Sequence, residues 1–255
     1  MPMSIPELER ALTTLRLSGM TATLEARALQ VAGHEMDFLE AVAWLVQDEL
    51  DRRRSRLLER RHTLSGLPER KELTSFDWSY NSRLPKRDVL DLATLTFIDA
   101  KEDVLILGPP GTGKSHVAKA LATTAVSRGY KVLYREAHQL IEDITEAREL
   151  GAIRKLRAHI ASADLLLVDD LFLRKLPGQA GDELADVLMA RHEKASTMIT
   201  SNRPLEDWTR LLGDVVVVTP LLDRLMHHGH LLTFDGKSWR LKEAAARAAK
   251  HKPVN

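Results

Sequence analysis

Apolar positions in the first part of the chain recur at helical spacing. Leu8, Leu12 and Leu15, then Leu24 and Leu29, fall on helix-like faces, with a turn expected at Ser18-Gly19. A longer helix is predicted from about Asp37 to Leu64, with Phe38, Val42, Leu45, Val46, Leu50, Leu57 and Leu58 as its apolar positions. The pattern then becomes irregular through Gly66, Pro68 and the Phe76-Asp77-Trp78 segment. A domain boundary is expected near residue 75, giving a small all-helical domain over 1–75.

From Pro85 onward, short apolar runs alternate with helical stretches. Strands are predicted at 104–107 (VLIL), 131–136 (KVLYRE), 165–168 (LLLV), 197–201 (TMITS) and 230–234 (HLLTF). Helices are expected from Lys114 to about Arg128, over 137–149, 151–162 and 181–194. Continuous apolar strands between helices indicate an α/β fold, a parallel sheet sandwiched by helices, over 76–240. The tail, 241–255, begins as a basic, alanine-rich helix or frayed end.

Composition narrows this picture in three ways. The chain has no cysteine, which excludes disulfides and cysteine-based zinc or redox chemistry. No apolar run approaches the roughly 20 residues of a membrane span, and the first residues, MPMSIPELER, lack the apolar core of a signal peptide. A cytoplasmic protein with no membrane association is expected. Net charge is only +1, so nucleic-acid affinity would have to come from local patches.

One segment carries specific chemistry. GPPGTGKS (Gly108, Pro109, Pro110, Gly111, Thr112, Gly113, Lys114, Ser115) fits the G-x-x-x-x-G-K-[ST] pattern in full, between an apolar strand and a helix. Glycines there let backbone N–H groups turn toward phosphate oxygens, and the helix start adds its positive end. Lys114 is expected on the β- and γ-phosphates and Ser115 on Mg²⁺, with His116 completing the ATP-binding set. Asp169, ending LLLVDD, is expected to hold Mg²⁺ through water, and Asp170 to orient or activate the attacking water. Asn202, after the fourth strand, can hydrogen-bond that water or the γ-phosphate, with Arg203 beside it as a possible phosphate contact. Arg224, in LLDRL, could act from a neighbouring subunit on the transferring phosphoryl group, or pair with Asp223. The absence of an N-K-x-D motif argues against a GTPase.

These segments together resemble the IstB-like family of transposition helper ATPases, relatives of the DnaC helicase loaders within the AAA+ superfamily. The resemblance rests on LRLSGMTATLEA at 15–26, FDW at 76–78, LILGPPGTGKSHVAKAL, LLLVDDL, QAGDELADVL at 179–188, TSNRPLEDW at 200–208 and LLDRLMHHGH at 221–230. It implies the strand order five-one-four-three-two and a helical N-terminal DNA-binding domain. It also implies an ATP-dependent homo-oligomer on double-stranded DNA and a partner transposase (IstA-like), which the protein stimulates without cutting or joining strands. Asp170 stands where most AAA+ proteins place Glu, so slow hydrolysis is expected. Little sequence follows Arg240, so no C-terminal lid domain is expected and no second sensor arginine is assigned.

Candidate DNA contacts are Arg52, Arg53, Arg56 and Arg60 on the long N-terminal helix, with Arg54 and Arg61 on another face. The alternative is a solvated face with partners such as Glu49 and Asp48. Arg154, Lys155 and Arg157, with Arg148, form a second basic group, and Arg174 and Lys175 a third. His227, His228 and His230 have no acid spaced to complete a metal set. Trp44, Trp208 and Phe172 are expected to pack rather than to stack on bases. A helicase loader and an ATP-switched scaffold that scarcely hydrolyses remain as competing functions.

Overall fold

The computed structural model describes residues 3–173, 180–212, 215–227 and 229–250. The chain forms two compact units that divide between Arg60 and Arg61.

The first unit is helical. α1 (Ile5–Thr14) starts at a capping box, in which Ser4 and Glu7 satisfy each other's groups. α2 (Ser18–Ala32) follows, and α3 (Phe38–Ser65) crosses the boundary between the units. The predicted turn at Ser18-Gly19 lies instead at Leu15–Leu17, where Arg16 takes a positive φ of 59°. Gly19 serves a different purpose inside α2. A Cβ there would lie 2.6 Å from both Asp48 O and Glu49 Cα, so only glycine admits this close crossing of α2 and α3. The Glu49 carboxylate completes the contact by accepting the Gly19 N–H at 2.6 Å. Trp44 packs beneath the Arg27 guanidinium, 5.3 Å from its ring, and Arg27 also pairs with Asp48.

The second unit is built on a five-stranded parallel sheet. After a single 3₁₀ turn at Leu73–Ser75, α4 (Lys86–Leu92) and α5 (Thr96–Asp99) lead into β1 (Val104–Leu107). The remainder runs α6 (Lys114–Arg128), β2 (Val132–Glu136), α7 (Ala137–Glu149), α8 (Ile153–Ala161), β3 (Leu165–Leu171) and α9 (Ala180–Arg191). Then come β4 (Ser196–Ser201), α10 (Leu205–Leu212), α11 (Val215–His227), β5 (His230–Thr233) and α12 (Trp239–Lys250). The spatial order is β2-β3-β4-β1-β5, the five-one-four-three-two order read from the other edge.

Helices cover both faces of the sheet at β1 and β3, which explains why VLIL and LLLV are continuously apolar. Val104 and Ile106 of β1 point to one face, with Leu165, Leu167 and Met198, against α6 and the 84–98 segment. Leu105 and Leu107 point to the other, with Leu166, Val168 and Ile199, against α7 to α11. Leu67, Leu84 and the half-buried Phe76 and Trp78 also join the first of these cores, so residues 61–84 pack with the sheet. Trp208 and Phe172 are buried against each other, with ring centroids 5.2 Å apart.

β4 lies between β1 and β3, and buried polar groups pin its start. Asp103 accepts the Thr197 N–H at 2.7 Å, and Ser196 Oγ donates to Phe97 O. Arg191, 1% exposed, donates to Ile160 O at 2.6 Å, Ser196 O at 2.7 Å and Thr197 Oγ1 at 3.3 Å. Burial raises the Asp103 carboxyl to about 6 and lowers the Arg191 guanidinium to about 10, and each group's charge limits the shift of the other.

Candidate nucleotide-binding site

The loop between β1 and α6 gathers the predicted residues into one cleft of about 470 Å³. Pro110, Gly111, Thr112, Gly113, Lys114, Ser115 and His116 line it, together with Asp170 and Asn202. Gly108 and Pro109 form the adjoining start of the loop. Three glycines show why the pattern needs them. All have positive φ: 148° at Gly108, 79° at Gly111 and 103° at Gly113. A Cβ would meet Phe234 O at 2.0 Å from Gly108, Ser238 Oγ at 2.1 Å from Gly111, and the Phe76 ring at 2.5 Å from Gly113.

Lys114 is buried, and its ammonium donates to Pro109 O at 2.9 Å. Burial lowers its pKa, while the Asp170 carboxylate opposes that shift. Thr112 Oγ1 donates to the same carbonyl at 2.9 Å, which fixes the loop's curvature. His116 stacks edge-on against Phe76 with centroids 5.2 Å apart, and burial keeps its ring below the usual histidine range.

The two acids occupy different environments. Between Val168 and Leu171, β3 carries one residue more than β4, and Asp170 takes the left-handed conformation at φ 56°. This bulge turns Asp170 into the cleft, where its N–H donates to Thr200 Oγ1 at 2.9 Å. Its carboxyl is raised by burial and by the charge of Asp169, and is held back by Lys114, Arg240 and Lys119. Asp169 sits behind the cleft lining and is 1% exposed. Its Oδ1 accepts Thr200 Oγ1 at 2.5 Å; its Oδ2 faces Lys119 Nζ at 3.2 Å and Tyr134 OH at 3.3 Å. Asn202 Oδ1 is buried within the lining and has no hydrogen-bond partner in the protein.

Periodicity and motif spacing did not anticipate the closure of this cleft by two distant segments. Phe76, Asp77, Tyr80 and Asn81 form one wall, and Trp239, Arg240 and Glu243 at the start of α12 form another. Asn81 joins them by pairing with the backbone of Lys237, donating to its O at 3.0 Å and accepting its N–H at 2.9 Å. The Trp239 N–H donates to Gly111 O at 2.9 Å, and Tyr80 OH donates to Ser238 O. Lys242 covers the Tyr80 and Trp239 rings, 4.3 and 4.1 Å from their centroids. Arg240 thereby joins Lys71 and Lys114 among the cations lining the cleft, although no lid arginine was expected.

Other predicted residues lie elsewhere. Arg224 borders a separate hollow with Lys101, Glu102, His192 and Glu193, and its Nη1 contacts Met189 Sδ at 3.3 Å. Arg203 is exposed, and its carbonyl accepts Trp208 Nε1–H. His230 faces Glu102 at 2.8 Å, while His228 lies outside the described residues. Arg52, Arg54, Arg56 and Arg60 are exposed on α3, whereas Arg53 pairs with Glu49 at 2.6 Å. Arg154 and Lys155 are exposed on α8; Arg157 pairs with Asp186 at 3.0 Å and Arg148 with Glu183. Arg174 and Lys175 lie outside the described residues. No helix among the described residues is long and apolar enough to cross a membrane.

Comparison with known proteins gives this architecture a context. The family model described as IstB-like ATP binding protein matches residues 10–247. A protein of Geobacillus stearothermophilus, whose name assigns it to insertion sequence IS5376 and to ATP binding, is 33% identical over 93% of this chain and 95% of its own. A Pseudomonas aeruginosa protein, likewise named for insertion sequence IS21 and ATP binding, is 33% identical over 93% of this chain and 89% of its own. Among solved structures, AMPPCP-bound DnaA from Aquifex aeolicus superposes with a TM-score of 0.57 at 22% identity. That match covers 74% of this chain but only 57% of DnaA. DnaI superposes with a TM-score of 0.54 at 18% identity, over 66% of this chain and 90% of its own. Both structural matches support the AAA+ fold.

Proposed function

This chain belongs to the IstB-like ATP-binding protein family of insertion sequences, and from that membership we propose an ATP-dependent regulator of transposition. In this reading it assembles on double-stranded DNA as a homo-oligomer, remodels the target duplex and stimulates a partner transposase. The observation that carries its ATP dependence is the cleft, where Lys114, Asp170, Asn202 and Arg240 converge on the glycine loop.

The cleft chemistry fits a nucleoside triphosphate with Mg²⁺. Left-handed glycines turn the loop around a phosphate, and Lys114 and Arg240 supply positive charge. The orphan Asn202 Oδ1 can accept a hydrogen bond from the attacking water. Hard oxygen donors suit the metal: Ser115 Oγ, in the cleft lining, would hold it directly, and Asp169, buried behind that lining, through water. When bound, Mg²⁺ neutralises charge developing on the phosphates.

Asp170 accepts or orients the proton of the attacking water. Its burial and the neighbouring Asp169 charge raise its basicity above that of an ordinary aspartate. Its short side chain and fixed backbone accord with slow hydrolysis. Arg224, remote from the cleft lining of its own subunit, is assigned to the site of a neighbour. Mixing Arg224→Ala with Asp170→Ala protein should then restore ATPase activity; no recovery would remove this assignment.

The deciding experiment is the particle-size distribution on duplex DNA without nucleotide, with ADP and with a non-hydrolysable ATP analogue. Large DNA-bound particles confined to the ATP analogue are expected. A monomer indifferent to DNA and nucleotide would overturn the proposal.

A further inference from the structure

The motif reading assigns no role to Lys119. It lies on α6, five positions beyond Lys114, and is largely buried, with 14% of its side chain exposed. Its ammonium is 3.2 Å from Asp169 Oδ2 and 5.1 Å from the centre of the Tyr134 ring. Tyr134 OH reaches the same carboxylate from β2, and Thr200 Oγ1 reaches the other oxygen from β4. A carboxylate offers about four acceptor sites, and these groups take three of them.

The cleft and the groups directly behind it hold four acids, Asp77, Asp169, Asp170 and Glu243, and four cations, Lys71, Lys114, Lys119 and Arg240. With Lys119 included the charges balance, so the protein offers a bare divalent cation no net negative charge, and the phosphate chain would have to bring it. Lys119 cancels the acid expected to attract the metal through water.

We infer that Lys119 is a positioning residue that makes Mg²⁺ binding conditional on the nucleotide. With Asp169 neutralised, the phosphates supply the negative charge that retains the metal, so Mg²⁺ enters and leaves as the nucleotide complex. The inference rests on the ATP-binding reading above.

The test uses the full chain and a fluorescent, non-hydrolysable ATP analogue titrated at varied free Mg²⁺, with Mn²⁺ binding followed separately by electron paramagnetic resonance. Lys119→Met keeps length but removes charge; Lys119→Gln also keeps a donor for Asp169. Both should lower the Mg²⁺ concentration for half-maximal nucleotide binding about tenfold and permit Mn²⁺ binding without nucleotide. Lys119→Arg should stay within about twofold of the parent, and Lys119→Met should shift nothing in an Asp169→Asn background. An unchanged or raised Mg²⁺ midpoint in a folded Lys119→Gln protein would reduce the pair to a structural contact and overturn the inference. If the parent protein binds no nucleotide at any Mg²⁺ concentration, the ATP-binding reading itself falls.

Discussion

Replacing Arg191 by Met tests the polar pins that hold β4 between β1 and β3. Methionine keeps much of the side-chain volume but removes all three donated hydrogen bonds. The carbonyls of Ile160 and Ser196 lose their guanidinium donors, at about 1–3 kcal/mol each where they stay unpaired. Asp103 also loses the cation that limits its upward shift. Two buried carbonyls left without donors set the destabilisation expected at neutral pH at about 2–6 kcal/mol.

The loss must also depend on pH. In the folded parent protein, Asp103 holds its proton up to about pH 6, above its ordinary value of 3.8. Its contribution to stability is therefore fully present below the unfolded value and falls by roughly 3 kcal/mol as pH rises through that window. Without Arg191 the window extends upward, at about 1.4 kcal/mol for each added unit. Urea unfolding followed by circular dichroism should thus give a larger loss at about pH 8 than at about pH 5.5. Asp103→Asn, which keeps an acceptor for the Thr197 N–H, should abolish that difference. A loss below about 1 kcal/mol, or one equal at both pH values in the Asp103 background, would refute the reasoning.

Four further outcomes are expected. Gly113→Ala puts a methyl into the Phe76 ring at φ 103° and should reduce nucleotide affinity at least about tenfold with helix content retained, as read by fluorescent-nucleotide titration. Gly19→Ala should destabilise the N-terminal unit by about 1–3 kcal/mol, measured as a lower unfolding midpoint; an unchanged midpoint would contradict the close crossing. Arg240→Ala should weaken the ATP analogue more than ADP, by about tenfold against less than threefold in competition binding. Replacing Arg52, Arg56 and Arg60 together by Ala should flatten the salt dependence of duplex binding by roughly 3 in log–log slope, and an unaltered slope would remove α3 from the interface.

β1 (VLIL) and the start of β3 (LLLV) were legible because each is a short, fully buried apolar run bounded by charged or turn-forming residues, whereas β4 carries four hydroxyl residues and β5 is exposed at three of its four positions. The phosphate loop was legible because its glycines are required by backbone geometry that spacing alone records. Ser18-Gly19 misled because glycine signals a turn and a close helix crossing with the same letter, and only the position of Glu49 distinguishes them. Arg240 was missed for a different reason. It reaches the cleft through the Asn81–Lys237 pairing, between positions 156 residues apart, and periodicity carries no trace of such a contact. Nothing in the sequence singles out Lys119; its surroundings depend on Asp169, Tyr134 and Thr200 arriving from three different strands.

The order of strands in the sheet also bears on how the chain is made. β2, β3 and β4 pair in the sequence in which they are synthesised, but β1 finds both of its neighbours, β4 and β5, only afterwards. From the emergence of Leu107 until Ser196–Ser201 is available, the strand that leads into the phosphate loop has neither of its sheet neighbours. Val104–Leu107 is then an apolar edge open to the wrong partner, including the same segment of another nascent chain. The strand presenting the nucleotide loop is thus first to be translated and among the last to be secured, which makes stalled synthesis in this interval the point of greatest exposure to aggregation.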